Sequence, residues 1–271
     1  RYLQWRAVLT GKGDGPVLTS VTAAYLQRNQ RPQVRSVTAH PPGIVFQKPY
    51  TTGEPDLAGF DDQTTPERKL VQAAALQGGS IGLGRRAYQK GLETLQWRAD
   101  DENQDELVYD VLFRREGDHA WKTLRRAVAD NILAWDTNTV PNGTYFVKVV
   151  ASDGPSNPAG SALIGELESA AFDIDNTPPV ITIAGVRVDR GRAIVTFDVK
   201  DDHSAIQRVE FSEDGQRWRG VFPTDGIADS RQEHYELAVD GTLTGRGLTL
   251  RAVDSMNNVE TGHVAAPASR R

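Results

Sequence analysis

The sequence contains no cysteine. Disulfide bonds, thiolate metal sites and a cysteine nucleophile are therefore excluded. Long apolar runs are also missing, since none approaches the roughly 18 residues that a transmembrane helix needs, and no signal peptide is visible. The chain opens on Arg1-Tyr2-Leu3-Gln4-Trp5, a run typical of the middle of a strand. We therefore expect it to be a piece of a longer polypeptide.

An excess of positive charge is missing as well. The chain has 31 Lys and Arg against 36 Asp and Glu, a net charge of −5 and a pI of about 5.6. Proteins that bind nucleic acid usually carry a basic face, so nucleic acid is not an expected partner. Hydrophobic residues at 38% and charged residues at 25% are typical of a folded globular protein. A length of 271 residues suits two ordinary domains.

Catalytic signatures are scarce. The five histidines are scattered, and none has the His-Glu-x-x-His spacing of a zinc protease or another metal spacing. There is no Gly-x-Ser-x-Gly nucleophile elbow. The glycine-rich run 78–86 matches neither a P-loop nor a dinucleotide fingerprint, and we interpret it as a flexible loop. The acidic pairs at 61–62 and 100–101 fall in predicted loops, which favours solvation or metal binding over catalysis. We expect the chain not to be an enzyme.

Alternation of apolar and polar residues with a period of two predicts an all-β chain. Residues 1–30 are predicted to be terminal strands of a preceding domain, or strands packed on the next one. Residues 31–175 form a predicted sandwich with a long insertion at 48–91, and residues 176–271 a second. One short helix is predicted in the insertion, with Thr65 as N-cap and Gly78 as the stop. The predicted strands lie at 1–10, 16–26, 33–38, 93–99, 106–115, 120–126, 130–135, 143–151, 166–174, 180–184, 192–199, 206–212, 217–221, 233–239, 247–253 and 259–265.

An internal repeat supports this division. The run Leu95-Gln96-Trp97-Arg98-Ala99-Asp100-Asp101 aligns with Val195-Thr196-Phe197-Asp198-Val199-Lys200-Asp201-Asp202. A second pair aligns Tyr145-Phe146-Val147-Lys148-Val149-Val150-Ala151-Ser152-Asp153 with Leu248-Thr249-Leu250-Arg251-Ala252-Val253-Asp254. Each unit therefore has strands in the same order, with Asp-rich loops after corresponding strands.

The run from Leu95-Gln96-Trp97 to Gly143-Thr144-Tyr145-Phe146-Val147 resembles a fibronectin type III domain, a family whose core holds a Trp on the second strand. The last unit has Phe197 in that place and resembles a bacterial immunoglobulin-like domain. With Asp175-Asn176-Thr177-Pro178-Pro179, these runs resemble the C-terminal region of large secreted bacterial proteins that often carry a β-propeller upstream. The resemblance implies tandem antiparallel β-sandwiches in an extracellular, periplasmic or cell-surface protein. Such sandwiches host many functions.

A calcium site is predicted where the second sandwich begins. In this fold the loops after the second and sixth strands lie at the end that faces the preceding domain. Calcium takes six to eight oxygen ligands, mainly carboxylates and carbonyls. The alternative interpretation is that these residues only make turns. The predicted ligands are Asp173, Asp175, Asn176, Asp201, Asp202, Asp254 and Asn257.

The corresponding end of the first sandwich gives a contrasting prediction. Its loops carry Asp100, Asp101, Asp105 and Asp153, but the preceding linker carries Arg28 and Arg31. Arginine beside carboxylates favours salt bridges over a cation. We therefore expect calcium, if it binds, at the second joint and not at the first.

Three functions remain open. The first is a non-catalytic structural or interaction module, such as a stalk, spacer or adhesive segment that contacts protein domains of the same or a neighbouring chain. The second is a carbohydrate-binding accessory module of a secreted enzyme, which requires tryptophans whose faces are open to sugar rings. The third is a subunit of an extracellular polymer, assembled by strand addition through residues 1–26.

Overall fold

The structure is a computed structural model, and it describes residues 4–23, 28–47, 57–58, 84–241, 243 and 247–265. Over these residues the chain is all-β apart from a single 3-10 turn, Thr137–Thr139. None of the described residues belongs to a helix with the length and apolar character needed to cross a membrane.

The first sandwich has two sheets. One is three-stranded, in the order β1-β4-β7, and the other is five-stranded, in the order β10-β8-β5-β6 with β9 also paired to β8. The strands are β1 Gln33–Ala39, β4 Leu92–Asp100, β5 Val108–Arg115, β6 Lys122–Val128, β7 Ile132–Asp136, β8 Gly143–Ser152, β9 Ile164–Glu168 and β10 Phe172–Ile174. The strand predicted at 166–174 is observed as two strands, β9 and β10, which pair with β8 on either side of residues 169–171.

The second sandwich repeats this plan. Its sheets have the orders β11-β12-β15 and β14-β13-β16-β17. The strands are β11 Val180–Asp189, β12 Arg192–Lys200, β13 Ile206–Ser212, β14 Arg219–Val221, β15 Gln232–Asp240, β16 Leu248–Asp254 and β17 Val259–Val264. A three-stranded sheet packed on a four-stranded one, with all pairs antiparallel, is a fibronectin type III-like sandwich.

Each sandwich has its own core. Trp97 is fully buried on β4, where it meets Tyr109 edge to face at 5.4 Å. Phe197 holds the corresponding place on β12 and stacks on Tyr235 at 5.0 Å. Inward side chains alternate along β8, β12 and β16, as the period-two pattern predicts.

A tyrosine corner closes the first sandwich. The hydroxyl of Tyr145, near the start of β8, donates to the carbonyl of Pro141 at 2.6 Å. This hydrogen bond ties the strand to the loop that enters it, an arrangement found at the same place in immunoglobulin-like sandwiches.

The predicted insertion at 48–91 is only partly described. Two short strands, β2 Ile44–Phe46 and β3 Arg86–Tyr88, pair as a ribbon at its base, so the chain is ordered into strands where a loop was predicted. The helix predicted at 65–78 lies outside the described residues.

The strands predicted at 1–10 and 16–26 are wrong where the structure describes them. Residues 4–23 form no strand and pair with no described strand. Their apolar side chains are exposed, with Trp5 at 57% and Val17 at 82% of full exposure. Apolar alternation alone does not make a strand, because a strand needs a partner edge.

Candidate functional site

The joint between the two sandwiches is centred on Asp175, a buried residue that directly follows β10. Its Oδ1 accepts hydrogen bonds from Asn142 Nδ2 at 2.6 Å and from the Thr177 amide at 3.0 Å. Its Oδ2 accepts one from Ser204 Oγ at 2.6 Å. Because Asn142 belongs to the first sandwich and Ser204 to the second, this carboxylate joins the two.

A second contact crosses the joint at the Asp175 backbone. Asn258 Nδ2, in the loop after β16, donates to the Asp175 carbonyl at 2.9 Å and also to Asp254 Oδ2 at 2.9 Å. The other Asp254 oxygen accepts the amides of Met256 and Asn258. Asp254 and Asn258 are both buried, so these hydrogen bonds form away from solvent.

Asp201 forms the third acidic position of the joint and is 4% exposed. Its Oδ1 accepts the amides of His203 at 2.7 Å and Ser204 at 2.8 Å. Its Oδ2 is buried and accepts no hydrogen bond from the described residues. We call Asp175, Asp201 and Asp254 the second acidic cluster. Carboxylate oxygens of Asp175 and Asp201 and a ring nitrogen of His203 lie within 4.8 Å of one another.

Burial and charge perturb the ionisable groups of this joint. Burial raises the pKa of Asp254 above its ordinary value, and the negative charge of Asp175 adds to the effect. Burial also raises the pKa of Tyr88, at the end of β3, with Asp254 as a further cause. The β2–β3 ribbon reaches the joint, because Tyr88 lines a small cavity there together with Glu93, Met256 and Asn258.

Three of the seven predicted ligands lie together, and the other four do not. Asp175, Asp201 and Asp254 converge in the second acidic cluster. Asp173 is exposed and accepts a hydrogen bond from Thr144. Asn176 turns to the first sandwich, where it donates to the Thr137 carbonyl. The exposed Asp202 pairs with Lys200 at 2.9 Å, and Asn257 is an exposed turn residue with φ of 64°.

The strand pattern explains which aspartates face inward. Buried side chains alternate along β12 at 193, 195, 197 and 199, and one more step of two reaches Asp201. The same step along β16 reaches Asp254 from 248, 250 and 252. Neighbouring residues such as Asp202 must therefore face outward. The sequence did not predict Asn142, His203 and Ser204 as members of the joint.

The corresponding end of the first sandwich holds a second group of carboxylates. Oxygens of Asp101, Asp105 and Asp153 lie within 4.8 Å of one another, and we call these residues the first acidic cluster. Asp100 lies outside it and forms a bidentate pair with Arg35, which lowers the pKa of that carboxyl. The salt bridges predicted for Arg28 and Arg31 are absent from the described residues. The arginine that pairs with Asp100 is Arg35, which lies at the irregularity of β1 between Val34 and Ser36.

The tryptophans are mainly core residues or lie beneath cations. Trp97 and Trp135 are buried. Trp121 is half-buried. Arg114 Cζ lies 5.0 Å from its ring centre and Lys148 Nζ lies 4.9 Å from it. Trp218 is half-buried beneath Arg251 at 4.1 Å. A sugar ring stacks on an open aromatic face, so these contacts do not favour the carbohydrate-binding alternative.

Comparisons with known proteins give a structural match alone. No family model matches the chain, and no curated protein matches its sequence. Among solved structures, the chain is similar to the crystal structure of the FN1–FN3 domains of chicken CNTN1. The identity is 10%, the match covers 87% of this chain and 98% of that one, and the TM-score is 0.31. The fold assignment rests on the strand order of the two sandwiches.

Proposed function

We propose that this chain is a non-catalytic structural and interaction module of a secreted bacterial protein, a stalk, spacer or adhesive segment that holds neighbouring domains in a fixed relation. The observation that carries the proposal is the Asp175 carboxylate, which accepts hydrogen bonds from Asn142 on one sandwich and Ser204 on the other. A flexible linker would have no need of a buried acceptor shared in this way.

The residues around Asp175 support a fixed joint. Asn176 donates its backbone amide to Asn142 Oδ1 at 3.1 Å and its side chain to the Thr137 carbonyl at 3.1 Å. Pro178 and Pro179 then restrict the backbone before β11 begins. The linker is thus bound on both sides within a few residues, and little conformational freedom remains between the sandwiches.

Small-angle X-ray scattering of the full chain tests this function. We expect one compact set of interdomain orientations for the wild type, and a larger radius of gyration for the double variant Asp175→Ala/Asn258→Ala. The matched control is Asp202→Ala, which removes an exposed carboxylate beside the joint. If wild type and double variant scatter alike, the joint does not fix the two sandwiches and the proposal fails.

The calcium ion predicted at this joint remains a proposal. It would be held by Asp201 and Asp175, with Asp254 close by, and the buried Asp201 Oδ2 is the oxygen that lacks a donor among the described residues. Carboxylates and amide oxygens suit calcium. Its test is the calcium-dependent part of the thermal midpoint, which Asp201→Ala/Asp254→Ala should remove.

A second candidate function is strand addition through residues 1–26. The observation in its favour is the exposure of six apolar side chains on residues 4–23: Trp5, Val8, Leu9, Val17, Leu18 and Val21. An extended segment with unpaired backbone groups can complete a sheet in a neighbouring subunit. Sedimentation equilibrium of the chain with and without residues 1–27 tests this, since a monomer in both cases would refute it.

A further inference from the structure

A cleft opens between the two sandwiches, beside the linker that joins them. Its volume is about 480 Å³, within the range of roughly 300–1,000 Å³ that is typical of sites for small molecules. Arg115, Val140 and Pro141 line it from the first sandwich, Thr177 from the linker and His203 from the second sandwich. Small-molecule sites are common at the boundaries between domains, so this cleft is a candidate binding site.

The lining of the cleft contains no acidic side chain, although the chain as a whole is acidic. The sequence has 36 Asp and Glu and a net charge of −5. The described residues that line the cleft instead supply the guanidinium of Arg115, the imidazole of His203, three asparagine amides and the hydroxyl of Thr177. A guanidinium among neutral polar groups attracts an anion, because no carboxylate of the lining competes for it.

Arg115, the last residue of β5, is held in position at the cleft. Its Nη2 donates to the Asn142 carbonyl at 2.7 Å. Its Nε lies so close to Gly143 that a Cβ at that residue would be 2.6 Å away, so the absence of a side chain at 143 leaves room for the guanidinium. Arg115 is exposed and forms no ion pair with a described carboxylate. A positioned guanidinium with free N–H groups can bind a carboxylate through two parallel hydrogen bonds.

Two further side chains of the lining have hydrogen-bonding capacity left for a ligand. The Thr177 hydroxyl accepts from Asn142 Nδ2 at 2.7 Å and retains its own proton. Asn138 donates from Nδ2 to Asp136 at 2.9 Å, and its second amide hydrogen and its carbonyl oxygen have no partner among the described residues. These groups suit a ligand that carries hydroxyl groups beside its carboxylate.

We propose that this cleft binds an acidic sugar, a uronic acid whose carboxylate contacts Arg115 and whose hydroxyl groups contact Thr177 and Asn138. One guanidinium matches one carboxylate. The apolar surface of Val140 and Pro141 suits the C–H face of a sugar ring. A polyanion is not expected, because the net charge of −5 repels it. Recognition of this kind depends on charge and does not need an open tryptophan face.

The site rests on the proposed function, since its walls come from both sandwiches. A ligand on Arg115 meets the second sandwich at His203 only while the joint is closed. The inference gives the interaction module a class of ligand, the carboxylated sugars. Sugar binding reports on the cleft and small-angle X-ray scattering reports on the joint, so the two can fail separately.

Titration of the isotope-labelled full chain with sodium glucuronate at constant ionic strength, followed by NMR, tests this site. The first variant is Arg115→Gln, which removes the charge and retains a donor for the Asn142 carbonyl. The second is Arg115→Lys, which retains the charge and loses the planar fork. The matched control is Arg126→Gln, which neutralises an exposed arginine on β6 of the same sandwich. Circular dichroism confirms that each variant is folded.

For the wild type we expect a dissociation constant on the order of 1 mM, typical of a ligand of this size, with shifts in the amides of Asn138, Thr177 and His203. Arg115→Gln should bind at least about tenfold more weakly, Arg115→Lys should also bind more weakly, and Arg126→Gln should bind as the wild type does. Glucose, which lacks the carboxylate, should cause no shifts, and acetate, which lacks the hydroxyl groups, should bind more weakly than glucuronate.

Absence of shifts with glucuronate would overturn the site. Equal affinity for glucose or for acetate would overturn it too, and so would binding that both Arg115 variants leave intact. If scattering shows a closed joint while glucuronate does not bind, the fixed joint stands and the ligand site alone fails.

Discussion

Ser204 Oγ donates to Asp175 Oδ2 at 2.6 Å across the joint between the two sandwiches. Both residues are buried, and the amide of Ser204 is held in turn by Asp201 Oδ1. The linker carboxylate is therefore bound to a loop of the second sandwich whose shape is fixed by its own aspartate. This relationship makes the joint part of the fold of both units.

Asp175→Ala should uncouple the two sandwiches. The change leaves Asn142 and Ser204 without their buried acceptor, and an unsatisfied buried group costs about 1–3 kcal/mol. We expect a loss of roughly 2–4 kcal/mol and separate unfolding transitions in differential scanning calorimetry. Asp173→Ala is the control, because Asp173 is exposed and accepts its hydrogen bond from Thr144, within the first sandwich. A single transition that is unchanged in Asp175→Ala would contradict this coupling.

Glu93 should make stability fall with rising pH. It is 4% exposed on β4, and burial raises its pKa from 4.5 to about 8. The folded state thus retains a proton that the unfolded state has lost, so the stability contributed by this group is complete below pH 4.5 and is lost as pH rises to about 8. We expect urea titrations to show a decline of roughly 3–5 kcal/mol over this range.

Glu93→Gln should remove most of that pH dependence and leave the variant more stable than the wild type above pH 8. Glu116→Gln, an exposed residue in the turn after β5, should retain the wild-type slope. Equal slopes for wild type and Glu93→Gln would show that Glu93 is not the group that titrates.

Two of the buried tyrosines, Tyr145 and Tyr235, should respond in opposite ways to removal of the hydroxyl. Tyr235 OH is buried without a partner among the described residues, whereas Tyr145 OH donates to Pro141. Tyr235→Phe is expected to leave stability unchanged or raise it by about 1 kcal/mol, and Tyr145→Phe to lower it by about 1 kcal/mol. Guanidinium unfolding of both variants measures this, and a clear loss in Tyr235→Phe would reveal a partner for that hydroxyl.

The sequence predicts the strands of both sandwiches well because inward and outward residues alternate along much of their length. The strand predicted at 192–199 is observed as Arg192–Lys200, for example. The convergence of Asp175, Asp201 and Asp254 was also predictable, since the loops after the second and sixth strands share one end of the sandwich. The directions of the linker side chains could not be predicted. Asp175 and Asn176 are adjacent, yet Asp175 accepts from Ser204 of the second sandwich and Asn176 donates to Thr137 of the first.

The salt bridges predicted for Arg28 and Arg31 are absent from the described residues for a related reason. Arg28 and Arg31 precede the first sandwich in sequence, but neither is paired with a described carboxylate. Asp100 instead pairs with Arg35, at the irregularity of β1 between Val34 and Ser36. Proximity in sequence does not set which charges meet across a sheet, because strand pairing and its local irregularities decide this. The β2–β3 ribbon was missed because strands of three residues have too little alternation to detect.

The most direct test of a fixed joint is a distance distribution between the two sandwiches. The chain has no cysteine, so Thr123→Cys on β6 and Thr196→Cys on β12 provide two unique, exposed positions for spin labels. Double electron–electron resonance on the doubly labelled chain should give one narrow distribution of distances between the two spin labels. This distribution should broaden when Asp175→Ala is added. A broad distribution in the chain with Asp175 intact would contradict the account, because the sandwiches would then move independently despite the hydrogen bonds at Asp175.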